Sequence, residues 1–271
     1  MTVARKIDKG FRVTEFYSAH DYQWDSDFYF AGEQHIYWEI VYVLSGEVES
    51  VEDERIYHLH GGEMLLHAPM EFHTIRSFSG SAPHVFIFSF LAEGELPESL
   101  KGGSFRLSEE LRTEYGAFFA RARRFFCGEG GKEEGILCGA RLTLFLLKLS
   151  METGRAQLSE TPSAKVYQKV VGAMREGVCQ NLTLEEIGEK CHVSVITIKN
   201  LFGQYAGVSP KNYYAKMRFD EAVRLLKEGV PIPEVADRMN FSSPNYFSVF
   251  IKRQSGLPPA RFLREEEKKE R

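Results

Sequence analysis

Seven of the eight histidines lie between His20 and His84, and only His192 stands apart. One set has the spacing of a binding site: Glu33-x-His35-x-x-x-Glu39, with His73 following Pro69. On an extended strand, alternate side chains share a face, so positions 33, 35 and 39 are expected to point the same way, with Tyr37 among them. Imidazoles and carboxylates so placed can coordinate a divalent ion. They can also hydrogen-bond an organic molecule, such as a sugar, inside a mostly apolar pocket. The second chemistry is the expected one: His35, Tyr37, Glu39 and His73 bind a small molecule, and no metal or cofactor is assigned. His58 and His60 alternate ahead of Gly61-Gly62 and belong on an outward strand face. No Ser/His/Asp or Cys/His triad has supporting context, so no catalytic residue is assigned and the chain is not expected to be an enzyme.

Strands must position this set. Residues 35–44 are dense in β-branched and aromatic side chains and stop at Ser45-Gly46. Short runs at 47–51, 56–59, 63–67, 72–75 and 85–91 follow between turn residues, which indicates an all-β barrel or sandwich up to about Ala92. The period then changes. Residues 108–126 place Leu111, Tyr115, Phe118, Phe119, Ala122 and Phe126 at helical spacing behind a capping Ser108. A second helix over 135–152 is apolar nearly all round and needs cover on more than one side, from the barrel or from a second copy of the chain. Residues 153–163 read as a polar linker.

The net charge of −4 over 271 residues conceals an asymmetry. Through Ala164 the chain carries 16 Lys+Arg against 25 Asp+Glu; from Lys165 onward it carries 18 against 13. An acidic front joined to a basic back predicts two domains with different partners, the back one meeting phosphate. With 43% hydrophobic and 27% charged residues the composition excludes a disordered chain. The longest apolar stretch, around Leu142 to Leu149, is too short to span a bilayer, so no membrane partner is expected. Residues 1–11 lack the apolar core of a secretory leader. The four cysteines form no CxxC pair, which predicts four small buried hydrophobes in a reduced cytoplasm.

The basic half contains a repeat. Thr183-Leu-Glu-Glu-Ile-Gly-Glu-Lys-Cys-His-Val-Ser194 aligns with Pro231-Ile-Pro-Glu-Val-Ala-Asp-Arg-Met-Asn-Phe-Ser242, and Ile198 to Phe202 aligns with Phe247 to Ile251 one residue later. Each copy reads helix, tight turn, helix. Thr183 and Glu186 form a capping box, Ser194 caps the next helix, and Ser243-Pro244 opens its counterpart. A helix from Pro210, capped by Ser209 and ended by Gly229, joins the copies. Two helix-turn-helix units on a rigid joiner can present their second helices to successive major-groove faces.

At this point the chain resembles transcription regulators of the AraC/XylS family. The resemblance rests on Leu182-Thr-Leu-Glu-Glu-Ile187, Val193-Ser194, Leu201-Phe202, Gly207, Ser209-Pro210 and, most specifically, Phe241-Ser-Ser-Pro-Asn-Tyr-Phe-Ser248 with Lys252-Arg253, Gly256 and Pro259. It implies an α+β chain of two domains. Residues 1–155 would be a cupin- or jelly-roll-like β-barrel with a helical hairpin, binding the effector and dimerising. Residues 164–271 would be an all-α DNA-binding domain with paired helix-turn-helix motifs. The family's base-contacting positions fall on Ile196, Lys199 and Asn200 in the first unit and on Pro244, Asn245, Ser248 and Val249 in the second; Lys252 and Arg253 would meet phosphate. The family often has Arg where Asn200 and Val249 stand, which predicts a shift toward adenine at the first and apolar contact at the second. The implied partners are double-stranded promoter DNA, a small-molecule effector and a second copy of the chain, with RNA polymerase open as a further one. Two rivals remain: a cupin-type metalloenzyme with a helical appendage, against which Glu33 stands where a cupin metal set has its first histidine, and an adaptor with a vestigial helix-turn-helix.

Overall fold

In a computed structural model, which describes residues 10–53, 55–101, 103–152 and 161–269, the chain divides into two units, Met1–Ser159 and Glu160–Arg271. The first contains β1 Arg12–Gln23, β2 Tyr29–Glu33, β3 Trp38–Ser45, β4 Glu47–Glu52, β5 Arg55–His60, β6 Glu63–His67, β7 His73–Ser77, β8 His84–Glu93 and β9 Ser104–Arg106, then α1 Glu109–Phe126 and α2 Lys132–Met151. The strands form two antiparallel sheets, ordered β1-β8-β3-β6-β9 and β2-β7-β4-β5.

Strand alternation builds two separate cores from the same residues. Ile40 and Tyr42 of β3, Met64 and Leu66 of β6, and Phe88 and Phe90 of β8 point out of the five-stranded sheet and meet the helical hairpin. Leu111, Tyr115, Phe118 and Phe119 of α1 and Leu142, Phe145 and Leu146 of α2 cover them. The intervening residues Val41, Val43, Leu65 and Val85 point the other way, against Val48, Tyr57, Leu59 and Ile75 of the second sheet.

One expected strand is displaced. The run over 35–44 enters the ladder only at Trp38, so His35 and Tyr37 lie in the connection after β2, not on one strand face with Glu39. The cause is topological: β2 belongs to the four-stranded sheet and β3 to the five-stranded one, so residues 34–37 must cross between sheets. The crossing is held by the Met70 amide, which donates to the His35 carbonyl at 2.7 Å. Two of the cysteines also depart from expectation. Cys138 and Cys191 are buried, but Cys127 is exposed at the end of α1 and Cys179 is half-buried.

The second unit comprises α3 Pro162–Glu176, α4 Leu184–Cys191, α5 Val195–Tyr205, α6 Pro210–Lys227, α7 Ile232–Arg238, α8 Pro244–Ser255 and α9 Pro259–Lys269. Part of the expected linker, 153–160, lies outside the described residues; Thr161 already caps α3. Among the described residues no helix is long and apolar enough to cross a membrane.

Candidate DNA-binding face and effector site

The two helix-turn-helix units repeat at the level of the backbone. His192 and Asn240, equivalent in the repeat, both adopt left-handed conformations, with φ of 57° and 53°. The Val193 amide donates to the Gly188 carbonyl and the Phe241 amide to the Ala236 carbonyl, each at 2.9 Å. The lone histidine of the basic half is therefore a turn residue. Thr183 and Glu186 make the reciprocal capping box, the Thr183 amide donating to Glu186 Oε2 at 2.7 Å and the Glu186 amide to Thr183 Oγ1 at 3.2 Å. Ser194 and Ser243 accept from the amides of Thr197 and Tyr246 at the starts of α5 and α8.

Ile198 and Phe202 of α5, and Phe247 and Ile251 of α8, are fully buried. The opposite faces are open to solvent. Ile196, Lys199 and Asn200 are exposed on α5; Pro244, Asn245 and Val249 are exposed and Ser248 half-buried on α8, with Lys252 and Arg253 exposed on its last turn. Ile196 and Val249 keep 71% and 63% of their surface, high for residues of this kind away from a partner. Ser248 donates its hydroxyl to the Pro244 carbonyl at 2.9 Å, leaving only its oxygen lone pairs to offer. Tyr246, beside the buried Phe247, is 62% exposed and joins the open face. Lys211, beside Lys199 at the crevice where α6 starts, adds a cation that the motif did not mark.

In the first unit, register assembles a buried polar layer at one end of the inter-sheet core. Glu39 sits directly across from His67 on one side and Ser89 on the other. In the facing sheet His73 lies between Glu33 and Glu52. Glu39 accepts from Ser89 Oγ at 3.1 Å. His73 Nε2 is 3.4 Å from Glu39 Oε1, and His35 Nε2 is 3.8 Å from Glu39 Oε2. The donor atoms of Glu33, His35, Glu39 and His73 all lie within 4.8 Å of one another. Tyr37 is not on their strand face but stacks on the His35 ring at 3.8 Å and on Tyr17 at 4.7 Å, roofing the site. All four expected ligand-binding residues are thus brought together, by a loop and two sheets, with His35 and Tyr37 off the strand face they were expected to share with Glu39.

Two further residues escaped the sequence reading. The His67 ring stacks on His73 at 4.0 Å, and His67 Nδ1 lies 2.6 Å from Glu52 Oε1. Arg55 reaches Glu52 at 3.6 Å and pairs with Glu71. Burial raises the Glu52 carboxyl to about 7 against the opposing charge of Arg55, and burial with the neighbouring His73 pushes His67 well down. Below about pH 7 that pair is therefore largely uncharged, which spares the cost of burying two ions. Burial alone would raise Glu39 and lower His73, but each overrides it in the other: Glu39 is lowered and His73 raised, with His67 and His35 assisting Glu39. Burial lowers His35, which Glu39 only partly offsets.

The comparisons with known proteins follow the same division. An AraC-like ligand binding domain matches residues 16–130, from β1 past α1, and a helix-turn-helix domain matches residues 187–265, spanning both helix-turn-helix motifs. YisR of Bacillus subtilis (strain 168), an uncharacterized HTH-type transcriptional regulator, is 25% identical over 261 residues, covering 85% of this chain and 88% of that protein. YidL of Escherichia coli (strain K12), likewise an uncharacterized HTH-type transcriptional regulator, is 30% identical over 104 residues, 38% of this chain and 35% of its own. The HTH-type transcriptional regulator GbdR of Pseudomonas aeruginosa (strain UCBPP-PA14) is 33% identical over 93 residues, 34% of this chain. These 93 residues are 25% of GbdR, so the chain spans about a third of the length of YidL and a quarter of that of GbdR. With a ligand-binding model on the first unit and a helix-turn-helix model on the second, the chain belongs to the AraC family of transcriptional regulators.

Proposed function

We propose that this protein is a sequence-specific transcription regulator that reads promoter DNA with α5 and α8 and responds to a small molecule held by His35, Tyr37, Glu39 and His73. The observation that carries the reading is the pair of open faces on α5 and α8, on units with the same turn and the same buried anchors. Placed in successive major grooves, the two helices would be about one helical turn, ~34 Å, apart. Ile196, Lys199, Asn200, Pro244, Asn245, Ser248 and Val249 address base edges, while Lys252 and Arg253 address phosphate, which adds affinity without sequence information. The effector must bind the DNA-competent and incompetent arrangements with different affinity. Such a regulator works in the cytoplasm and is not an enzyme.

A homodimer through α2 is part of the proposal. One face of that helix packs on the sheet, whereas Leu137, Leu144 and Met151, spaced by seven, keep 40%, 51% and 80% of their surface. A heptad-spaced apolar stripe is what a partner helix requires.

The test is a fluorescence-anisotropy titration of the full chain onto its own upstream fragment, with a scrambled fragment and two salt concentrations. Tight, salt-sensitive binding that prefers the upstream fragment supports the reading. Weak binding indifferent to sequence, unchanged by every candidate ligand, overturns it.

A further inference from the structure

We infer that Glu33, His35, Glu39 and His73 form a binding site for one divalent transition-metal ion. The inference rests on the reading above that this is where the first unit takes its ligand, and it names the ligand's chemical class.

The separations carry the first part of the argument. A hydrogen bond from an imidazole to a carboxylate spans about 2.7–3.2 Å. Here the two contacts on Glu39, at 3.4 Å from His73 and 3.8 Å from His35, are longer, and neither Nε2 has a hydrogen-bond partner. Two donors bound to one ion at about 2.05 Å in a tetrahedron are roughly 3.3 Å apart. The cluster is spaced as ligands around a shared centre.

The second part is orientation. His35 Nδ1 is 2.9 Å from the Tyr37 carbonyl, and His73 Nδ1 is 3.2 Å from the Glu71 carbonyl. A carbonyl only accepts, so each Nδ1 carries a proton, and in the neutral form each ring keeps its lone pair on Nε2. Both Nε2 atoms are buried and converge on Glu39. Metal-binding histidines are commonly fixed in this way, their second nitrogen committed to a backbone carbonyl. A simple ion pair between His73 and Glu39 would account for one imidazole and leave His35 Nε2 without a partner.

The donor set then selects the ion. Two imidazole nitrogens with carboxylate oxygens suit Zn²⁺, Fe²⁺ or Ni²⁺, whereas Mg²⁺ prefers oxygen ligands and water. His35, Glu39 and His73 are at least nine-tenths buried, while Glu33 is exposed and closes the solvent side.

The experiment is a Zn²⁺ titration of the full chain after treatment with a chelator and buffer exchange, read by calorimetry and by competition with a chromophoric chelator, with Mg²⁺ in parallel. The expected result is one Zn²⁺ per chain and no Mg²⁺ at equal concentration. His35→Gln, Glu39→Gln and His73→Gln each weaken Zn²⁺ by more than about 100-fold, Glu33→Gln weakens it less, and the exposed His60→Gln leaves it unchanged. Circular dichroism checks that each variant is folded; if Glu39→Gln and His73→Gln are not, Glu33→Gln and His35→Gln decide. No stoichiometric Zn²⁺ on the folded chain, or uptake that survives both of those substitutions, overturns the inference. Because the titration contains no DNA, the two readings fail separately: Zn²⁺ uptake without promoter binding removes the regulator alone, and promoter binding without Zn²⁺ uptake removes the metal site alone.

Discussion

The guanidinium of Arg218 lies 4.5 Å above the ring of Phe241. From α6, the same side chain donates to Asn181 Oδ1, just before the first helix-turn-helix, and to the Met239 carbonyl at 2.5 Å, in the turn of the second. Asn240 Nδ2 donates to the Gln180 carbonyl at 3.0 Å and closes the same loop. The spacing of the two units is thus set by a polar clasp as well as by the stiffness of α6. Phe241, part of the sequence signature of the family, is one jaw of it.

Arg218 is only 4% exposed, and burial lowers its pKa. Arg218→Ala removes a buried charged donor and strands two acceptors. Loss of the buried bond to the Met239 carbonyl should cost the second unit about 1–3 kcal/mol in urea unfolding. Arg218→Lys should recover little, since one ammonium cannot reproduce the planar fork. If Arg218→Lys matched the natural chain, the clasp would carry no stability.

Asn200→Ala and Lys252→Ala should separate base reading from phosphate contact. The first should weaken the upstream fragment by about 1–3 kcal/mol and relax preference at one base pair, while leaving the scrambled fragment unchanged. The second should weaken both fragments alike and reduce the slope of log K against log salt by about 1.

Leu144→Glu places a carboxylate in the middle of the exposed α2 stripe without touching the buried face. Sedimentation equilibrium should show a dimer for the natural chain and a monomer for this variant, with the melting temperature of the monomer little changed. A monomeric natural chain would instead assign α2 a solvent-facing stripe.

Glu52 gives the first unit a pH dependence with a definite sign. Its carboxyl rises from 4.5 to about 7 on folding, so between those values the folded chain holds a proton that the unfolded chain has lost. The stability this contributes is present in full below pH 4.5 and is lost as pH climbs through 7. The loss amounts to about 3 kcal/mol at 1.36 kcal/mol per unit. With chelator present, the unfolding free energy of Glu52→Gln should therefore gain on the natural chain from pH 5 to pH 8. A constant difference across that range would show that Glu52 does not titrate there.

Most of the second unit was legible because its signals are local. Thr183 with Glu186, Ser209 with Pro210, and Ser243 with Pro244 each mark a helix start within four residues. The exposure of Tyr246 is less legible, because a helical wheel gives its angle but not where the cover of neighbouring helices stops. The first unit depends on register. Glu39, His67 and Ser89 are adjacent only because β3 pairs with β6 and β8 in one particular alignment, and His73 meets them only because a second sheet packs against the first. Pairing partners 28 and 50 residues distant leave no periodic trace, so His67 and Glu52 were passed over while Glu39 and His73 were found. β1 leaves little periodic trace for a related reason: it is a sheet edge whose side chains are exposed or half-buried, without the alternation of a covered strand.

The open faces of α5 and α8 mix two kinds of surface, and each answers to a different variable. On DNA, Lys199, Lys252 and Arg253 would act by displacing condensed counterions, so their share would fall as salt rises. Ile196, Tyr246 and Val249 would act by leaving water, which would make the heat capacity change of association negative. The enthalpy of binding therefore grows more favourable on warming, whatever the salt. Ionic strength and temperature become nearly independent controls on occupancy, and a van't Hoff plot for this protein on its operator should be curved.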